Sequence, residues 1–155
     1  MLRGEYINGD GRVYPNSLSQ EGAKMLLTAA LRNTVPAFYF ALVSGAPSLD
    51  MTMSNMVEPT IGTGGYARIP ITRDGAGWPG EGLVGTDRYL ETGWLEWAPS
   101  GGGFNQPIQR VALVGVSAYA AGTPVWSLSS PLPAPITLTP ASLSADKRWK
   151  YRIYL

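Results

Sequence analysis

The chain has 155 residues, of which 45% are hydrophobic and 15% charged, and its net charge is +1. It contains no cysteine and no histidine, which excludes disulfides, thiolate metal sites and a histidine general base. The balanced charge provides no general attraction to nucleic acid or to an anionic membrane. The 19 glycines and 13 prolines lie between apolar runs, and many turns with few charges favour an all-β protein.

Residues 1–16 are predicted to form an extended N-terminal segment, because glycines and prolines break any helical pattern there. The segment either packs on its own domain or reaches onto a neighbouring molecule as an arm. The domain division that we favour is an arm over 1–16 and a folded domain over 17–155. The arm's expected partner contacts are Tyr6, Ile7, Arg12, Val13 and Tyr14.

One helix is predicted at about 18–32. Ser17 and Gln20 have the spacing of a capping box, and small or apolar residues recur at helical intervals through Ala30. Pro36 prevents a longer helix, because the residue before a proline avoids the α region.

Short strands are predicted over the rest of the chain. A buried strand is expected at 37–45 and an edge strand at 66–73, because Pro70 interrupts the latter. A glycine loop is expected over 74–87. Further strands are predicted at 106–119, 125–132, 134–143 and 148–155. The last has strict alternation, with Trp149, Tyr151 and Ile153 on one face and basic residues on the other. Roughly seven or eight strands indicate a single β-sandwich or jelly-roll-like domain.

Opposite charges are concentrated in two parts of the chain. Five acidic residues lie between Asp74 and Glu96, and four basic residues lie between Lys147 and Arg152. Both groups are either solvated faces or pair with each other, within one subunit or between subunits.

Three chemical motifs occur in the sequence, and each favours a structural role. Gly62, Gly64 and Gly65 lack the Lys-Ser/Thr of a phosphate loop, and a strand rather than a helix is expected after them. Paired carboxylates such as Glu91 and Glu96 could act on a sugar, with Trp94 and Trp97 as its platform, but their spacing does not place them together. The basic, aromatic C-terminal strand is expected to separate its aromatic from its basic side chains, unlike a single-strand nucleic-acid platform. No metal or cofactor site and no catalytic residue is predicted.

The segment "EPTIGTGGYARIPITRD" and the strands after it resemble a family of small tailed-bacteriophage virion proteins, the head decoration (cement) proteins and related fibre-base proteins. The resemblance covers roughly residues 37–155. The matching positions are Glu58, Gly64, Gly65, Tyr66, Ala67, Arg68, Trp78, Ile108, Val111, Ala112, Leu113, Gly122, Leu132 and Pro133.

The resemblance implies a virion protein, present in many copies and most often trimeric. We therefore expect a capsid decoration protein, not an enzyme, that is made in the host cytoplasm and clamps neighbouring major capsid subunits on the outside of the head. Its expected partners are the major capsid protein and two further copies of itself, with no nucleic acid and no membrane. Tyr66 and Arg68 are added to the expected contact residues. The alternatives are a tail or fibre-base module and a carbohydrate-binding protein.

Overall fold

The computed structural model describes residues 3–32, 37–44, 56–118 and 125–154. The strands are β1 (Arg3–Asn8), β2 (Val13–Leu18), β3 (Ala37–Val43), β4 (Ile69–Thr72), β5 (Gly80–Val84), β6 (Asp87–Glu91), β7 (Leu95–Glu96), β8 (Arg110–Val114), β9 (Val125–Ser129) and β10 (Arg148–Tyr154). The helices are α1 (Gln20–Arg32) and α2 (Ser144–Lys147).

The strands form one curled antiparallel sheet in the order β4-β3-β8-β9-β2-β1-β10-β6-β5, and β7 pairs with β10 beside this path. β2 joins the two halves of the sheet: its residues 13–15 pair with β1 and its residues 16–18 pair with β9. The prediction of an all-β, sandwich-like domain is confirmed.

Aromatic side chains from both halves meet in the core between them. The ring centroid of Phe40 on β3 lies 5.6 Å from that of Tyr6 on β1 and 6.4 Å from that of Tyr151 on β10. All three side chains are buried. Such tilted and edge-on contacts are the favoured geometry of packed rings, so this aromatic cluster holds the halves of the sheet face to face.

A buried polar cluster lies beside these rings. The Asn16 amide donates to the Ser127 hydroxyl at 2.7 Å and to the Tyr151 hydroxyl at 2.8 Å. The Tyr6 hydroxyl lies 2.8 Å from the same Ser127 hydroxyl. Burial raises the pKa of Tyr151 to about 12, so the phenol stays neutral. The four groups come from β1, β2, β9 and β10, and their hydrogen bonds therefore fix the contact between the halves.

The prediction of an N-terminal arm is wrong. β1 and β2 form a hairpin, and β1 pairs on its other side with β10 along its whole length. The Asn8 side-chain oxygen closes the turn by accepting from the amides of Asp10 and Arg12. Packing on its own domain, the alternative stated for this segment, is what the structure shows, because Tyr6 and Tyr14 fill the core.

The helix begins two residues later than predicted, because Leu18 still belongs to β2. Ser19, not Ser17, caps it: its hydroxyl accepts from the Gly22 amide at 2.9 Å, and its carbonyl accepts from the Ala23 amide. Gly22 packs against the backbone of β9, where a Cβ atom would lie 2.1 Å from the Trp126 carbonyl oxygen. The helix therefore lies on β9.

Other element boundaries differ as well. Among the described residues, the strands predicted at 106–119 and 125–132 comprise only β8 and β9. The strand predicted from Tyr66 begins at Ile69, although it does lie at the edge of the sheet. The predicted loop 74–87 contains β5 and the start of β6. The predicted strand 134–143 is reduced to one bridge, between Ile136 and Ile108. The strand predicted at 148–155 is confirmed as β10, with Trp149, Tyr151 and Ile153 buried.

Candidate functional site

Most of the predicted contact residues are inside the protein. Tyr6, Ile7 and Tyr14 are buried, and so are Tyr66 and Arg68. Their assignment as partner contacts is wrong, because a partner cannot reach side chains that fill the core. Only the remaining two, Arg12 and Val13 at the turn between β1 and β2, are exposed.

Tyr66 and Arg68 share one partly buried carboxylate, that of Glu58. Arg68 donates to it through Nη2 at 2.5 Å and through Nε at 3.1 Å, and the Tyr66 hydroxyl donates to it at 2.8 Å. A second Arg68 nitrogen donates to two backbone carbonyls, of Val116 and Ala118. The side chain of Arg68 is fully buried, and all the contacts described compensate for the cost of burying its charge.

The Tyr66 hydroxyl also accepts a hydrogen bond from the Leu42 amide of β3 at 3.1 Å. Burial, with the charge of Glu58 as a second cause, raises the pKa of Tyr66. The phenol is therefore a permanent donor to Glu58. The residues of the "GGYAR" motif thus attach the segment before β4 to β3 and to the chain after β8, and the motif acts as a structural lock.

The first glycine of this motif, Gly64, serves close packing. A Cβ atom on Gly64 would lie 2.1 Å from the Gly103 carbonyl oxygen, and the Gly64 backbone has a φ of +60°. Its carbonyl accepts from the Ser100 amide at 2.8 Å. The turn at Gly64 therefore packs one loop against another. This is the structural role that the sequence predicted for the glycines, because they lack the Lys-Ser/Thr of a phosphate loop.

The outer side of β1, β10 and β6 forms a surface that we call the charged face. Its residues are Arg3, Glu5, Asp87, Tyr89, Glu91, Trp94, Arg148, Lys150, Arg152 and Tyr154. At its centre Arg152 pairs with Glu5 at 3.0 Å and with Glu91 at 2.7 Å, and Lys150 pairs with Glu91 at 2.7 Å. The acidic and basic parts of the sequence thus pair within one subunit, one of the alternatives stated for them.

Aromatic rings lie under the cations of the charged face. Arg3 lies 4.4 Å from the ring centroid of Tyr154, and Arg152 lies 4.4 Å from that of Tyr89. Arg148 and Lys150 both lie over Trp94, at 4.6 and 5.0 Å. The sequence placed the aromatic residues of β10 opposite its bases, but the fold brings further rings from β6 and the segment before β7 to the basic side.

The charged face lacks the net positive charge of a nucleic-acid platform. Its four basic residues, Arg3, Arg148, Lys150 and Arg152, are balanced by Glu5, Asp87 and Glu91 together with Glu96 on the adjoining β7. Its rings are also occupied by its own cations. The face is better suited to a protein surface that carries both signs of charge.

The proposed sugar platform is not assembled. Trp97 is buried and donates its indole N–H to the Ala67 carbonyl at 2.9 Å, whereas Trp94 is 42% exposed. Glu91 is held by two cations, so it lacks the raised pKa of a general acid. Burial favours its protonated form, but hydrogen bonds from Lys150 and Arg152 outweigh that effect and lower its pKa.

Sequence reasoning missed a surface on the β5–β6 hairpin. Leu83, Val84 and Leu90 are 58%, 48% and 41% exposed; we call them the hairpin patch. Leu83 and Leu90 line an open groove of about 410 Å³. The alternation in "GEGLV" and "DRYLE" around a glycine turn was the available signal, but the glycines of this segment suggested a loop instead.

No family model, curated protein or solved structure matches the chain. The residues described here include no helix long and apolar enough to cross a bilayer. Within the same ranges no acidic residues group in a way that could hold a metal ion.

We expect Arg68→Ala to reduce the free energy of unfolding by about 3–5 kcal/mol, because it leaves the Glu58 carboxylate without its cation. Chemical denaturation measures this change. Arg12→Ala, at an exposed arginine in the turn between β1 and β2, is the matched control and should change stability by no more than about 0.5 kcal/mol. Equal, small effects of both substitutions would contradict the structural lock.

Glu91 should make stability depend on pH in the acid range. A carboxylate whose pKa is lower in the folded protein stabilises it above the unfolded pKa, ordinarily 4.5, and this contribution is lost as the pH falls through the folded pKa. Glu91→Gln should therefore be less stable than the native protein at pH 7, and the difference should shrink below pH 4.5. Denaturation midpoints against pH measure it, with Glu96→Gln, an exposed acid, as control. A difference constant over the whole range would contradict the prediction.

Proposed function

We propose that the chain is a capsid decoration protein of a tailed bacteriophage, bound to the outside of the head as a virion component. The observation that carries the proposal is the buried cluster of Glu58, Tyr66 and Arg68. These three residues belong to the motif on which the resemblance rests, and their contacts give the motif a physical reason. A motif kept together by the fold supports the resemblance better than isolated matching letters do.

The capsid contact is proposed to lie on the charged face and on the exposed turn beside it. The outward side chains of β1 and β2 continue this face to Val13, which is 50% exposed, and Arg12 follows in the turn. Both residues were expected contacts from the sequence. A surface with paired charges and an exposed tryptophan, Trp94, suits a specific protein contact, because charges give orientation and aromatic groups give binding energy.

The proposed mechanism is avidity. A single contact between one subunit and the capsid can be weak. Several such contacts held in one symmetric assembly bind strongly, because each further contact forms at a high effective concentration. The homotrimer that the resemblance implies would supply three such contacts. Clamping of neighbouring major capsid subunits follows if each copy touches a different subunit.

Quantitative mass spectrometry of purified particles of the phage that encodes the chain tests this proposal. We expect the protein in hundreds of copies, in a fixed ratio to the major capsid protein. A few to dozens of copies, co-purifying with tails, would favour the fibre-base alternative, and absence from the particles would overturn both. Val13→Asp should weaken binding to heads that lack the protein, while Leu31→Asp, at an 81% exposed site on α1 outside the charged face, should not.

A further inference from the structure

The β5–β6 hairpin ends the sheet with an open edge. β5 pairs with β6 on one side, and it has no second strand partner among the described residues. An edge strand presents free backbone N–H and C=O groups that can pair with another chain. The opposite edge, β4, contains Pro70, which cannot donate a backbone hydrogen bond and so protects that edge. β5 has no such protection.

Apolar side chains surround this open edge. Leu83 on β5 and Leu90 on β6 lie on the side of the sheet that elsewhere faces the core, yet they are 58% and 41% exposed. Val84, at the end of β5, is 48% exposed. An unpaired edge with apolar neighbours is a typical pairing surface.

The charges of the hairpin are complementary to a second copy of the same hairpin. Register places Leu83 opposite Arg88 and Glu81 opposite Leu90. Glu81 and Arg88 are both exposed, and no ion pair is seen for either within the described ranges. They line the groove together with Leu83 and Leu90.

We propose that β5 pairs antiparallel with β5 of a second copy, about a two-fold axis at Gly82. The axis places Glu81 beside Leu83 of the second copy, on the same side of the joined sheets. Arg88 of the second copy lies on that side too, one strand further away. With a strand spacing of about 4.8 Å, the acid and the base of different copies are about 10 Å apart between backbones. Extended Glu and Arg side chains bridge that distance over the leucine, and the symmetry forms this pair twice.

Gly82 suits the centre of such a contact. A Cβ atom there would lie 2.8 Å from the Tyr89 hydroxyl, so the glycine leaves the space that the Tyr89 ring occupies on the outer side. Two copies of Gly82 at the axis bring two such rings together, and the rings cover the glycine backbones from solvent.

This contact adjoins the charged face at Tyr89, but it does not depend on the proposed function. A two-fold contact requires an even number of chains: two, or six if the three-fold association of a trimer also forms. The oligomeric state therefore tests the two-fold pairing of β5, whatever the protein binds.

Light scattering coupled to gel filtration, with sedimentation velocity over a concentration series, tests it on the full chain. We expect a dimer or a hexamer. Leu83→Glu places a like charge beside Glu81 of the second copy and should weaken the two-fold association about tenfold or more. Leu143→Glu, a control at a 71% exposed leucine outside the hairpin, should leave it unchanged. Circular dichroism confirms that both variants are folded.

A charge exchange tests the register. Glu81→Arg and Arg88→Glu should each weaken association, because each replaces the two Glu81–Arg88 pairs between the copies by two pairs of like charges. The double variant should restore association. A monomer at high micromolar concentration, a trimer, or an assembly that Leu83→Glu leaves intact would overturn the proposal. Failure of the double variant to restore association would overturn the two-fold register.

Discussion

The structure depends on the position of the N-terminal hairpin in the middle of the sheet. β2 is the strand that both halves share, and β1 lies between β2 and β10. The buried polar cluster of Tyr6, Asn16, Ser127 and Tyr151 forms where these strands meet β9. Removing the hairpin would separate the halves and expose their aromatic core. The first residues of the chain are thus the centre of the fold, and the partner contacts lie elsewhere.

The sequence predicted those features that depend on neighbours in the chain. Alternation identified β10 and its buried face, a continuous apolar run identified β3, and Pro70 identified an edge strand. The local pattern did not reveal the N-terminal strands as part of the sheet, because β1 pairs with β10 at the other end of the chain and because glycines and prolines also occur in unpaired extended segments. In the structure a Cβ atom on Gly4 would lie 2.4 Å from the Tyr151 hydroxyl, and one on Gly9 would lie 2.6 Å from the Ala145 Cα atom. These glycines allow close packing, which no local pattern reveals.

Close packing at glycines and pairing between distant strands also explain why the sequence did not predict β5 and the charged face. Gly80 and Gly82 made β5 resemble a loop, although they are small because Glu91 and Tyr89 lie over them. The charged face combines residues of β1, β6 and β10, and only the register of the sheet places Glu5 and Glu91 on either side of Arg152. The motif residues Glu58, Tyr66 and Arg68 were singled out correctly, but burial gives them a structural role. Two surfaces remain for partners: the charged face with its adjoining turn, and the β5–β6 hairpin.

Amide hydrogen exchange of the full chain, resolved by residue, tests the central position of the hairpin most directly. Strands at the centre of a cooperative fold exchange only when the whole protein unfolds. We predict that the amides of Glu5, Tyr6 and Ile7 exchange as slowly as those of β10, with the same dependence on denaturant. Fast exchange in β1 while β10 remains protected would contradict the central position of the hairpin and would favour an N-terminal arm.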